Sequence, residues 1–198
     1  MTKQIVNAIT SFFVQENIVN ADNVEIYQYG IEQILINLRI FIIIGMIATI
    51  SDMWIETIFI SLGIIPIRMV AGGYHAKTLT RCSVLTILVY TLNIFLVSLL
   101  KANISNQVIY ALWIIVLLLI FAFAPIDHMN MRLNIRETIL AKRNSRIIGI
   151  VLAGLSISTM ILLGARNKFS LSILMGVLTA AVALCVGSIA RRSKNEEM

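Results

Sequence analysis

The chain has 198 residues, 59% of them apolar and 13% charged, with a formal net charge of +6. That composition excludes a water-soluble domain, which needs more polar side chains to cover its exterior, so the chain is read as an integral membrane protein. Its positive charge is explained by residues flanking membrane helices and meeting anionic headgroups, so nucleic acid is not expected as a partner.

In residues 1–20, Ile5, Ala8, Ile9, Phe12 and Phe13 recur at helical spacing with polar residues between them. This predicts an amphipathic helix lying along the inner leaflet. No uninterrupted apolar core and small-residue cleavage site follow Met1-Thr2-Lys3, so a removable secretory signal is not expected. Asp22, with Glu25 three positions on, resembles a capping box, and the helix it opens runs into the first span.

Low-charge apolar windows of roughly 17–20 residues then recur at about 31–50, 54–71, 83–100, 107–124, 147–164 and 170–190. The expected fold is all-α, a polytopic helical bundle of about six transmembrane helices forming one domain over 1–198. Arg39 in the first span is read as snorkelling to headgroups, the alternative being a polar site between helices. Glu32, nearer the surface, either orients a catalytic histidine or is a solvated boundary residue. The second span is the weakest, because it contains Glu56 and Arg68 and is interrupted by Gly63 and Pro66; a re-entrant hairpin is the alternative there.

Basic residues divide unevenly across this topology. Lys101, Arg166 and Lys168 fall on one side, whereas Lys3, Arg68, Lys77, Arg81, Arg191, Arg192, Lys194 and the basic residues of a 125–146 loop fall on the other. The excess orients both termini, segment 68–82 and that loop toward the cytoplasm, where thiols stay reduced.

Segment 68–82 carries the chemistry. Gly72-Gly73 allows backbone angles closed to other residues and reads as a turn after span two. His75 and Cys82 follow it. On one straight helix they would stand about 10 Å apart along the axis, too far for proton transfer, so the chain between them must bend. Thr78 or Thr80 is a candidate cap for a helix beginning after the bend. Either places Cys82 in or near a first turn, where the helix dipole, Lys77 and Arg81 favour a thiolate and unpaired amides can donate to an oxyanion. Cys185, deep in span six, reads as an inert apolar residue, and His128 as a boundary residue, the alternative being a second candidate base. One His and one Cys are too few for a structural zinc site, and no metal or cofactor is expected.

The array R-x2-A-G-G-Y-H-A-x5-C, carried by Arg68, Ala71, Gly72, Gly73, Tyr74, His75, Ala76 and Cys82, resembles the signature of the AgrB family, accessory gene regulator protein B of bacterial quorum sensing. Tyr29-Gly30-Ile31-Glu32 and Ala124-Pro125 extend the resemblance. One departure is the absence of a lysine-proline element after Pro125. The resemblance implies a membrane cysteine endopeptidase that cleaves the C-terminal tail from an autoinducing-peptide precursor. Cys82 would be the nucleophile and His75 the base and acid, and the Cys82 thioester would then pass to a precursor Cys or Ser, closing a thiolactone or lactone. It also implies a homodimer and a short amphipathic precursor with an acidic tail. Arg132, Arg136, Arg143, Lys142 and Arg146 are candidates to attract that tail, topology control being the alternative. Read from the residues alone, two other functions stay open. One is a membrane thiol acyltransferase using the same pair, and the other a small transporter or helical scaffold in which His75 and Cys82 are incidental.

Overall fold

The computed structural model describes residues 2–196 apart from 17, 21–22, 75, 77, 101–103, 127–133 and 165–167, with the side chains of 2, 3 and 192–196 also outside the description. Among the described residues the chain forms helices and no strand: α1 (Thr2–Gln15), α2 (Val24–Ile50), α3 (Trp54–Ala71), α4 (Leu79–Leu100), α5 (Asn106–Phe123), α6 (Ile135–Leu163) and α7 (Lys168–Glu196). The last six are each long and apolar enough to cross a membrane, and the chain is a multi-pass membrane protein. Helix is the form this composition requires, because hydrocarbon offers no partner to an unpaired backbone N–H or C=O.

A helix, α1, forms within the segment expected to lie along the inner leaflet. Val6 and Thr10 are buried, whereas Ile5 and Phe12 stay exposed. Gln28 of α2 reaches Asn7 of α1 at 3.4 Å. The capping box expected at Asp22 lies outside the described residues; α2 starts after Asn23, which makes no side-chain cap bond. Arg39 is on an exposed face of α2, not in a polar site between helices.

Helix α7 is the centre of the bundle. Half of its spanning segment is buried, against 11% for α2 at the periphery. Its most extensive partner is α3. The two approach through glycines: a Cβ at Gly63 would stand 2.6 Å from the Ile173 carbonyl oxygen and 2.9 Å from Gly176 Cα, so any larger residue drives the helices apart. At the N-terminal ends of the same pair, Lys168 Nζ meets Glu56 Oε1 at 2.9 Å, with Glu56 only 2% exposed. The Phe59 and Phe169 rings lie beside them at 5.1 Å.

These contacts correct the reading of span two. Gly63 and Pro66 do not interrupt it, and α3 is continuous through both. Gly63 is small for packing, Pro66 lies in the last two turns, and the costly Glu56 is offset by a lysine from the far end of the chain. The expected 125–146 loop is also corrected. Helix α6 begins at Ile135, where Asn134 and Glu137 form a reciprocal capping box: Glu137 N–H donates to the Asn134 side chain and Asn134 N–H to Glu137 Oε2 at 2.8 Å, while Ile135 N–H also donates to Asn134 Oδ1 at 2.7 Å. Arg136, Lys142, Arg143 and Arg146 are therefore helical residues.

Candidate functional site

Helix α3 ends where the paired glycines begin. Gly72 N–H donates to the Arg68 carbonyl at 3.1 Å. Gly72 has φ 74° and Gly73 φ 133°, conformations that side-chain-bearing residues rarely adopt. A Cβ at Gly72 would also sit 2.6 Å from the Ile126 carbonyl oxygen. The turn expected from the sequence is therefore both a backbone requirement and a close approach.

The loop is seated on two other parts of the bundle. Ile126 N–H donates to the Ala71 carbonyl at 2.9 Å, which joins the α5–α6 connection to the end of α3. Tyr74 N–H donates to the carbonyl of Ala183 on α7, also at 2.9 Å. Gly187, one turn beyond Ala183, makes room for this: a Cβ there would lie 2.9 Å from Tyr74 N and 3.1 Å from Gly73 C. Arg68 closes the loop from the other side, its Nη2 donating to the Tyr74 carbonyl at 2.8 Å. Both backbone groups of Tyr74 are thus fixed immediately before position 75. His75 and Lys77 themselves lie outside the described residues.

Helix α4 begins after Thr78. Its Oγ1 accepts from Arg81 N–H at 3.3 Å and its carbonyl accepts from Cys82 N–H at 3.0 Å, so Thr78 is the cap and Cys82 sits in the first turn. These bonds change one expectation. The amides of Arg81 and Cys82 are committed to Thr78 and are not donors for an oxyanion. Cys82 is a free, half-buried thiol, and the half-buried Arg68 guanidinium lies within Coulombic reach of it. On the next turns of α4, Thr86 Oγ1 donates to the Cys82 carbonyl at 2.9 Å and Tyr90 Oη reaches Ser61 of α3 at 3.1 Å.

The remaining candidates are more dispersed. Glu32 is half-buried on α2, and Arg136 and Arg143 are exposed on α6; none makes a hydrogen bond or ion pair among the described residues. Arg81 is exposed beside Thr80, Val84, Leu85 and Leu88, which line a shallow groove on the outer face of α4. Arg146 is engaged structurally: its Nη2 donates to the Phe121 carbonyl in the last turn of α5 at 3.2 Å, and the guanidinium lies 4.8 Å from the centre of the Phe121 ring. Arg132 and His128 lie outside the described residues. Among the described residues no group of three or more His, Cys, Asp or Glu side chains could hold a metal ion.

Sequence reasoning missed Tyr74, Ala183 and Gly187 as the seat of the loop. The glycine was visible as a small residue in an apolar helix, but nothing in the sequence ties it to Gly73.

The sequence profile of accessory gene regulator B matches residues 6–186, which include the whole loop and the α4 start. The chain belongs to the AgrB family. It is 27% identical over 133 residues to a protein of Listeria monocytogenes serotype 4a named AgrB-like, covering 66% of this chain and 63% of that protein. The corresponding protein of Listeria monocytogenes serovar 1/2a is 28% identical over the same length and shares. One from Listeria innocua serovar 6a is 29% identical over 100 residues, 50% of this chain and 48% of its own. The matched stretch therefore spans less than two thirds of these AgrB relatives. No solved structure matches the chain.

Proposed function

We propose that this AgrB-family chain is a membrane cysteine endopeptidase of a quorum-sensing system, cutting the C-terminal tail from a short autoinducing-peptide precursor and closing the remainder into a thiolactone or lactone. The observation that carries this reading is the placement of Cys82 in the Thr78-capped first turn of α4, directly after a loop whose last described residue before His75 is held at both backbone groups.

In this reading His75 takes the proton of Cys82 and the thiolate attacks the scissile carbonyl. The C–N bond breaks, the proton passes from His75 to the departing amine, and the truncated precursor is left as a thioester on Cys82. A thiol or hydroxyl within the precursor then attacks that thioester, its proton returns to the Cys82 sulfur through His75, and the ring is released. Exchange of one thioester for another changes little in bond energy, so holding the chain ends together and excluding water decide between cyclisation and hydrolysis. The helix dipole at the α4 start and the Arg68 guanidinium supply positive potential near the sulfur.

The precursor, in this reading, lies as an amphipathic helix at the inner leaflet beside α1. Its acidic tail is attracted by Arg136 and Arg143, with Arg132 and Lys77 as further candidates. The basic excess at the end of the bundle holding Arg68, Arg81 and the α6 start favours placing that end and both termini in the cytoplasm. A homodimer in anionic lipid completes the proposal.

The test is reconstitution with a candidate precursor, comparing wild type with Cys82→Ala and His75→Ala by mass spectrometry. Wild type is expected to release the tail and a ring one water lighter than the linear truncated peptide, and both variants neither product. Cleavage by either variant at the wild-type rate rejects the dyad.

A further inference from the structure

We propose that Asn93 and Thr179 form a positioning pair that sets the height of Cys82 against the loop carrying His75; the inference rests on the endopeptidase reading above.

Asn93 is 3% exposed and sits mid-way along α4, where an unpaired amide is costly. Its Nδ2 donates to the Val89 carbonyl at 2.8 Å and to Thr179 Oγ1 at 2.9 Å, while Thr179 Oγ1 donates back to Asn93 Oδ1 at 3.2 Å. This reciprocal bond joins α4 to α7. A slide of one residue along either axis, about 1.5 Å, breaks its geometry, and apolar side chains packed between helices impose no such register.

Two alignments give the pair its role. On α4, Asn93 lies eleven residues beyond Cys82, close to three full turns at about 3.6 residues each, so both side chains leave the same face of the helix. On α7, Thr179, Ala183 and Gly187 succeed one another at four-residue steps along one stripe. Thr179 takes Asn93, the Ala183 carbonyl takes Tyr74 N–H, and Gly187 gives the loop its space. One stripe of one helix thus holds both the loop that precedes His75 and the helix that bears Cys82. The chain between these anchors, residues 75–78, has no comparable tie to α7 among its described members. Through Thr179, α7 thus fixes the height of α4 and Cys82 against Tyr74, alongside the Tyr90–Ser61 bond that ties α4 to α3.

The experiment uses the full-length protein in vesicles of phosphatidylglycerol and phosphatidylethanolamine, in a Cys185→Ser background. In one arm, His75→Cys is oxidised and the rate of the 75–82 disulfide is read by mass. Thr179→Val and Asn93→Leu are expected to slow it at least tenfold, and Thr179→Ser, which keeps the hydroxyl, to restore it. In the other arm, with His75 intact and a precursor supplied, Thr179→Val is expected to lower kcat more than tenfold with KM within twofold, again with rescue by Thr179→Ser. A merely structural role would lower the amount of folded protein and leave kcat per folded molecule unchanged. Should Asn93→Leu fail to fold, the near-isosteric Thr179→Val carries the test. Wild-type disulfide and cleavage rates in Thr179→Val overturn the inference. A parent that cleaves no precursor, but whose cross-linking still responds to Thr179, rejects the endopeptidase reading while leaving the register role standing. A parent in which positions 75 and 82 do not cross-link takes both down.

Discussion

The backbone N–H of Tyr74 and the carbonyl of Ala183 are joined by a 2.9 Å hydrogen bond, which makes α7 the support of a loop that belongs to α3 and α4. The bond exists because position 187 has no Cβ. Gly187→Ala is expected to push the loop off its seat, costing about 1–3 kcal/mol as an overpacked contact and slowing precursor cleavage at least tenfold. Gly154→Ala is the control, since a Cβ there meets nothing within 4 Å. Equal cleavage rates for the two variants would show that the seat is irrelevant to the reaction.

Arg68 holds the same loop from the α3 side through Tyr74 O. Deleting a hydrogen bond from a charged donor costs about 1.5–3 kcal/mol, so Arg68→Ala should lose roughly 10- to 100-fold in single-turnover cleavage if the loop is rigid in the transition state. Arg68→Lys should recover only part of this, because an ammonium on a different stem does not reproduce the guanidinium fork. The pair of variants is read by quenched-flow mass spectrometry of the cleaved tail, and full recovery in lysine would assign Arg68 a purely charge-based role.

Thr78 is the cap of the helix that bears Cys82. Thr78→Ala should cost about 1 kcal/mol of local stability and reduce cleavage several-fold through fraying of the first turn, while Thr78→Ser keeps the oxygen and the rate. Hydrogen exchange at residues 79–83 checks the fraying directly; unchanged protection in the alanine variant would contradict it.

The Glu56–Lys168 pair clasps α3 to α7 at the end opposite the loop. Lys168→Met strands a buried carboxylate and should destabilise the protein by about 2 kcal/mol, below the cost for a fully buried pair because the lysine side chain is 43% exposed. Adding Glu56→Gln should return part of that loss. Thermal unfolding in detergent reads both, and a double variant less stable than the single one would argue against the ion pair as the source.

How far the sequence could be read depends on the range of each interaction. The spans were legible because their signal is local hydropathy: α3 and α5 start and stop within a residue of expectation. The early start of α6 was missed because a charge-counting window rejects Arg136, Lys142 and Arg143, although Asn134 with Glu137 three positions on was a usable capping signal. At the site, the Gly72-Gly73 turn follows from backbone chemistry and was anticipated, and Thr78 was one of the two caps expected, with Thr80 the other. The long-range partners of Glu56, Tyr74 and Asn93 were not anticipated, since Lys168, Ala183 and Thr179 all lie on α7, far along the chain, and no periodicity links a residue to one met only after folding.

The glycine contact between α3 and α7 has a consequence for biogenesis. Synthesis delivers α3 and α4 to the bilayer before α7, so the inward face of Gly63 and the underside of the 72–74 turn wait without their complement until the later helix is inserted. Chains in which α7 has not yet been inserted therefore lack the platform that brings loop and thiol into line, and proteolytic competence, as proposed above, arrives only once that helix has joined the bundle.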